Sequence, residues 1–201
     1  YQRTEDFDTT GQTTSPTASD FASPSNWYER GYKLDQYVVQ VFSNWTDALS
    51  TEFKYAKKKV DNRQEPLNGL GIGLARVDTN GPAVTGGTIF VGPDISRHAN
   101  KLKNEQDQAK FRVQYLLGDH TLSGGVEYEK LDVFNVFVQQ SRGEFYFDSI
   151  ADFEARRASR LTYNNSVTNN ATDAAAEFSY SNTAIYLQDR WQVNEQFVVT
   201  Y

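Results

Sequence analysis

The sequence predicts an all-β fold, specifically a segment of an antiparallel transmembrane β-barrel with about six strands and long extracellular loops. Three observations support this prediction. Apolar and polar residues alternate with a period of two, short turns alternate with long connections, and aromatic residues make up 14% of the chain. Aromatic residues favour strands, and a period of two indicates strands with two unlike faces.

The first hairpin is predicted at residues 33–60, after a polar stretch at residues 1–32. That stretch is rich in Thr, Ser, Asp and Pro, for example Thr13-Thr14-Ser15-Pro16, and is predicted to be an irregular extracellular loop. Within the hairpin, a turn near residue 46 separates two alternating segments. Their apolar and aromatic residues of one parity are Tyr37, Val39, Val41, Leu49, Phe53 and Tyr55.

The second hairpin, at residues 103–134, has the clearest alternation in the chain. The apolar parity includes Phe111, Val113, Tyr115, Leu122 and Val126, whereas charged residues take the other parity. The loop before it, residues 61–102, has a Gly-rich centre at residues 69–73 and a short strand predicted at residues 88–91. The composition of this loop is otherwise polar.

A third long loop is predicted at residues 135–177, with a short strand at Glu144–Phe147. Ser149 is the predicted N-cap of a helical turn because Asp152 follows three residues later. An incomplete third hairpin follows at residues 178–201. Here Asp189 falls on the apolar parity and weakens the pattern.

The positions of the turns distinguish a membrane barrel from most soluble sheets. Short turns near residues 46, 119 and 194 recur roughly 75 residues apart, with long connections between them, as in outer-membrane barrels. A charged face opposite the apolar face would then line a water-filled lumen. The alternative is a soluble secreted β-sheet module for carbohydrate or protein binding or adhesion, because its strands alternate as well.

Composition argues against several other functions. A net charge of −6 gives no basic face for nucleic acid, and Cys is absent, which excludes disulfides and thiolate metal sites. The only two histidines, His98 and His120, are far apart in the sequence, and the Gly-rich segment lacks the Lys-Ser/Thr of a phosphate-binding loop. We therefore predict no enzyme activity, catalytic residue, metal site, cofactor or nucleic-acid partner.

Three segments resemble the barrels of TonB-dependent outer-membrane receptors. Residues 118–128, GDHTLSGGVEY, resemble their G-x-H-x-L-x-x-G-x-E hairpin, and residues 186–191, YLQDRW, resemble their Y-x-Q-D-x-W strand. Residues 135–138 together with 142–147 look like the Oar-like subgroup, which carries a carboxypeptidase-regulatory-like domain. The resemblance covers residues 30–201.

The resemblance implies a barrel of roughly 22 strands around a plug, in the outer membrane of a Gram-negative bacterium. It implies energy-coupled uptake of an unknown extracellular ligand, with outer-membrane lipid and the TonB complex as partners. The sequence contains no plug, so we expect a portion of a longer chain. Loop residues expected to contact ligand are Trp27, Asp94, Arg142, Phe145 and Tyr146.

Overall fold

A computed structural model describes residues 1–10, 20–79 and 86–201, which form two β-sheets. Residues 13–16 of the first predicted loop lie outside the described ranges. The strands are β1 (Gln2–Thr10), β2 (Phe21–Ala22), β3 (Tyr28–Asn44), β4 (Leu49–Pro66), β5 (Leu74–Asp78), β6 (Thr88–Val91), β7 (Asn100–Leu117), β8 (His120–Phe137), β9 (Glu144–Phe147), β10 (Arg160–Thr162), β11 (Ala176–Asn194) and β12 (Phe197–Thr200). One α-helix, α1 (Ile150–Glu154), and the 3-10 turns Pro24–Asn26, Ile95–Arg97 and Ala171–Ala174 complete the described elements.

The larger sheet is an antiparallel array in the order β1-β3-β4-β7-β8-β11-β12. The predicted hairpin turns are confirmed: residues 45–48, 118–119 and 195–196 connect the three strand pairs. Gly118 has φ of +60°, a conformation that favours glycine. The short turns therefore share one end of the sheet, and the long connections share the other.

The predicted loop at residues 1–32 is wrong in part, because residues Gln2–Thr10 form a strand along the start of β3. The other strands also run further than expected; β4 ends at Pro66 and β11 begins at Ala176. The extension of β4, residues 61–66, contains no apolar residue except Pro66, so it shows no apolar alternation. The large sheet consequently has seven described strands, one more than the approximate number predicted.

The smaller sheet is built from the long connections, in the order β10-β9-β5-β6-β2. Its pairs β5–β9 and β2–β6 are parallel, which joins segments that are far apart in the sequence. The predicted strands Thr88–Val91 and Glu144–Phe147 are confirmed. Ser149 is confirmed as N-cap of α1, because its hydroxyl accepts a hydrogen bond from the backbone N–H of Asp152 at 3.1 Å.

The most buried apolar side chains of the described residues lie in this smaller sheet, and not in the long strands. Leu74, Val77 and Phe90 are almost fully buried, and Phe147 packs edge-on against Phe153 with ring centroids 5.2 Å apart. We call this folded unit the cap, comprising β2, β5, β6, β9, β10 and α1. Along the described chain, no helix combines the length and the apolar character needed to cross a membrane.

Candidate functional site

One face of the larger sheet carries rows of apolar side chains that nothing in the described chain covers. Residues paired across an antiparallel ladder share a face. One such row crosses five strands and consists of Val41, Phe53, Phe111, Val126 and Ile185. Exposed fractions reach 84% for Ile185 and 83% for Leu187. We call this surface, from the short turns to the row of Val39, Tyr55 and Tyr128, the apolar band.

The apolar band ends abruptly, and charged residues follow on the same face. The next two rows include Lys57 paired with Asp107, and Lys59 paired with Glu105. In these pairs the Nζ to carboxylate distances are 3.4 Å and 2.8 Å. We call this surface the charge belt; it comprises Arg3, Glu5, Lys33, Asp35, Lys57, Lys59, Asp61, Lys103, Glu105, Asp107, Lys130 and Asp132.

The length of the apolar band matches a bilayer. Residues 109–117 of β7 lie between the short turn and the charge belt, and a tilted transmembrane strand needs about 9–11 residues. Tyr55 lies at the boundary and its hydroxyl donates to Asp107 at 2.5 Å. Aromatic girdles of this kind flank the apolar band of outer-membrane barrels.

The opposite face of the same strands is mostly polar at the level of the apolar band, although Val38, Phe42 and Leu116 also lie on it. Lys110 and Glu127 form an ion pair at 3.0 Å, and Gln40 donates to Glu52 at 2.7 Å. A face with charged side chains in its middle requires water next to it. Together, the two faces have the polarity of a barrel wall with lipid on one side and a wet lumen on the other.

A cleft of about 820 Å³ lies at the loop ends of β4, β7 and β8, beside segments that adjoin the cap. The cleft is formed by the ends of these strands and by the segments 69–72, 97–101, 141–142 and 163–172. Its volume falls within the range of about 300–1,000 Å³ that is typical of small-molecule sites. This cleft is the best candidate for a ligand site in the described chain.

Glycines allow the segments around the cleft to approach closely. Gly73 and Gly143 have φ of +101° and +90°, and a Cβ at Gly73 would lie 2.3 Å from the carbonyl oxygens of Arg142 and Gly143. The N–H of Leu74 donates to the Gly143 carbonyl at 3.0 Å. The Gly-rich segment therefore joins the cap to the segment 140–143, a structural role that requires no phosphate ligand.

His98 is buried beside the cleft and bonds through both ring nitrogens. Nδ1 accepts the backbone N–H of Arg142 at 3.2 Å, and Nε2 lies 3.2 Å from the carbonyl oxygen of Pro93. This arrangement requires the neutral imidazole with the proton on Nε2. Burial lowers the pKa of His98 below its ordinary value of 6.5.

The five residues predicted to contact ligand are not brought together. Trp27 is exposed after the first 3-10 turn, Asp94 is buried and accepts the N–H of Ser96 at 2.9 Å, and Phe145 packs against the core of the cap. Tyr146 lies between two guanidinium groups, those of Arg76 at 5.4 Å and Arg160 at 3.6 Å from its ring centroid. Only Arg142 lines the cleft.

Sequence reasoning missed the other side chains of the cleft, including Arg97, Lys101 and Tyr163. No local pattern identifies them, because they come from two separate long connections and from the start of β7. Within the described ranges, no group of three His, Asp or Glu side chains is arranged to hold a metal ion.

A comparison with protein families matches the chain to a family model described as an outer membrane beta barrel domain, which covers residues 1–201. Neither the curated proteins nor the solved structures yield a match. The match agrees with the apolar band and the wet opposite face, and it favours them over the soluble secreted module.

Proposed function

We propose that this chain, which belongs to the outer-membrane β-barrel family and is located in the outer membrane, forms part of the wall of a TonB-dependent receptor. In this proposal the apolar band faces lipid and the opposite face lines the lumen. The cap and its cleft lie outside the cell, where ligand is first bound. The receptor would be a transporter and not an enzyme.

The observation that carries the TonB-dependent part of the proposal is the pairing of two receptor-like motifs. The hairpin at residues 118–128 and the strand at residues 186–191 lie side by side in β8 and β11, with His120 opposite Trp191. The ring of Tyr186 covers Gly125, where a Cβ would lie 2.7 Å from the tyrosine hydroxyl. The two motifs therefore form one packed unit.

The open sheet is also compatible with a portion of a larger barrel. Strands β1 and β12 are its edges, and neither pairs with the other among the described residues. Unpaired edges inside a bilayer leave backbone groups unsatisfied, so transmembrane sheets close. We expect further strands of the full-length protein to pair with both edges.

Transport in this proposal proceeds from the cap to the lumen. A ligand binds in the cleft, and the TonB complex then uses inner-membrane energy to displace a plug in the full-length receptor. The charged inward face, with Lys110 and Glu127 at its centre, presents a hydrated path past the plug. No covalent step is required of any residue in this chain.

Binding to TonB tests the proposal directly. The full-length receptor in lipid nanodiscs should bind the purified periplasmic domain of TonB from the same bacterium. Deletion of the TonB-binding segment that we expect near the start of the full-length protein should abolish this binding, whereas Val167→Ala, at a fully exposed loop position, should leave it unchanged. A full-length receptor that does not bind TonB would contradict energy-coupled transport.

A further inference from the structure

Positive charge is concentrated at the cleft although the chain as a whole is acidic. Three cationic side chains line the cleft, those of Arg97, Lys101 and Arg142, against one carboxylate, that of Glu65. None of the three cations forms an ion pair with a described residue. Lysines of the charge belt, such as Lys57 and Lys59, have carboxylate partners.

Arg97 is the most unusual of the three cations. Its side chain is 8% exposed, and its Nε has no hydrogen-bond partner among the described residues. The guanidinium lies over the ring of Tyr28, 4.0 Å from the centroid, and Nη1 donates to the Ser96 carbonyl at 3.4 Å, a long bond. A buried charged group without full hydrogen bonding costs free energy.

The missing partner has a definite chemistry. A guanidinium has planar N–H donors that match the two oxygens of a carboxylate or phosphate group. The contact with the Tyr28 ring and the burial of Arg97 restrict the guanidinium, so less entropy would be lost when an oxyanion binds. Lys101 and Arg142 lie on the exposed rim and add attraction at longer range.

Apolar side chains also line the cleft. Leu70 and Ile72 belong to the Gly-rich segment, and Ile72 is 80% exposed. An exposed isoleucine in a pocket is a contact surface for an apolar part of a ligand. The Gly-rich segment thereby gains a binding role in addition to its structural one.

We propose that the cleft binds a small amphipathic organic anion, with its carboxylate or phosphate group on Arg97 and its apolar part against Leu70 and Ile72. Lys101 and Arg142 complete the anion site. This inference rests on the proposed function, since it names the class of ligand that the cap presents for transport. The binding step itself requires no energy coupling.

Equilibrium binding to the full-length receptor in phosphatidylcholine nanodiscs tests the inference, with saturation-transfer NMR as the readout. The probes are 4-phenylbutyrate, 4-phenylbutyl phosphate and the neutral 4-phenylbutanamide, with empty nanodiscs as background. We expect at least one of the two anions to bind, and to bind about tenfold or more tightly than the amide. The anion that binds more tightly identifies whether the site prefers a carboxylate or a phosphate group.

Substitutions separate an anion site from general apolar binding. Arg97→Gln should weaken anion binding by at least about tenfold, and Arg142→Gln on the exposed rim should weaken it by a smaller factor. Arg142→Gln also reports on the site if Arg97→Gln disturbs the cap. Arg190→Gln, an exposed arginine on the opposite face near the short turns, is the matched control and should change nothing.

Three results would overturn the inference: equal binding of the amide and the anions, no binding of either anion, or undiminished anion binding in both Arg97→Gln and Arg142→Gln. Failure of the anion-site inference can be distinguished from failure of the transport proposal. If anions bind as expected but the TonB domain does not bind the receptor, only the transport proposal fails. If TonB binds but the anions do not, only the anion site fails.

Discussion

Asp189 lies on the apolar face, and its Oδ2 is 2.7 Å from Nδ1 of His120 on the neighbouring strand. The hydroxyl of Tyr201 donates to the same oxygen at 2.8 Å, and Trp191 stacks on the imidazole with ring centroids 5.4 Å apart. Asp189 is opposite Leu122, close to the short turn at residues 118–119. The carboxylate that breaks the sequence pattern is therefore hydrogen-bonded at Oδ2 near the edge of the apolar band, whereas its buried Oδ1 has no hydrogen-bond partner among the described residues.

Removing one partner of this pair should cost more than removing both. We expect His120→Leu to lower the free energy of unfolding by about 1–3 kcal/mol, because Asp189 loses a hydrogen-bond partner near lipid. The double variant His120→Leu with Asp189→Leu should recover most of that loss. Urea unfolding of the full-length barrel in lipid vesicles measures this coupling; strictly additive effects would show that the contact contributes nothing.

The boundary between the apolar band and the charge belt predicts a depth profile. Fluorophores at Val113 and Val126 should be strongly quenched by a lipid-soluble quencher, whereas those at Glu105 and Asp132, on the same face, should be quenched weakly. Gln114 and Glu127, on the opposite face, serve as controls and should also be quenched weakly. Equal quenching at all six positions would contradict a lipid-facing band that ends at the tyrosines.

A charge within the band should be costly in the full-length barrel. Val113→Arg should destabilise it by about 2–4 kcal/mol, because the side chain faces hydrocarbon, whereas Gln114→Arg faces water and should have little effect. Reversible unfolding in lipid vesicles gives both values. Similar costs for the two variants would mean that both faces of β7 have the same environment.

The orientation of the wall predicts which ends of the strands are reachable from outside. Cysteine at Val167, a fully exposed residue in the long connection before β11, should react with an impermeant maleimide on whole cells. Cysteine at Asp119, in the short turn, should react only after the outer membrane is permeabilised. The reverse pattern would place the cap in the periplasm and invert the topology.

The sequence predicted those strands whose two faces meet different environments. Phe111 and Val126 alternate with Lys110 and Glu127, so the middle hairpin could be assigned from its pattern alone. Residues Gln2–Thr10 could not be assigned, because this strand lies at the level of the charge belt, where both faces are polar and alternation carries no information.

The cleft could not be predicted for a different reason. Arg97, Arg142 and Tyr163 come from different parts of the chain, and the parallel pairing of β5 with β9 helps to bring these segments together. Only local features of the cap, such as the Ser149 N-cap, were readable from neighbouring residues. Long-range parallel pairs leave no comparable local pattern, and the predicted ligand residues were consequently dispersed.

The buried His98 predicts that the cap loosens in mild acid. Its neutral form bonds to the N–H of Arg142, and protonation would replace the Nδ1 acceptor with a donor. Because burial lowers its pKa in the folded protein, the unfolded chain binds the proton more readily. The contribution of neutral His98 to the stability of the cap is complete above pH 6.5, the ordinary pKa of histidine. It declines as the pH falls below 6.5 toward the lower pKa of His98 in the folded protein.

Amide hydrogen exchange in the full-length protein at pH 7.5 and pH 5.0, corrected for intrinsic rates, measures this loosening. Protection of the amides of Arg142 and Gly143 should fall at pH 5.0, while the amides of β7 near Val113 should keep theirs. The charged groups around the imidazole are Asp94, Arg142 and Glu144, and the carboxylates partly oppose the effect of burial. His98→Gln cannot be protonated and should remove the pH dependence; a drop in protection that persists in this variant would assign the loosening to another group.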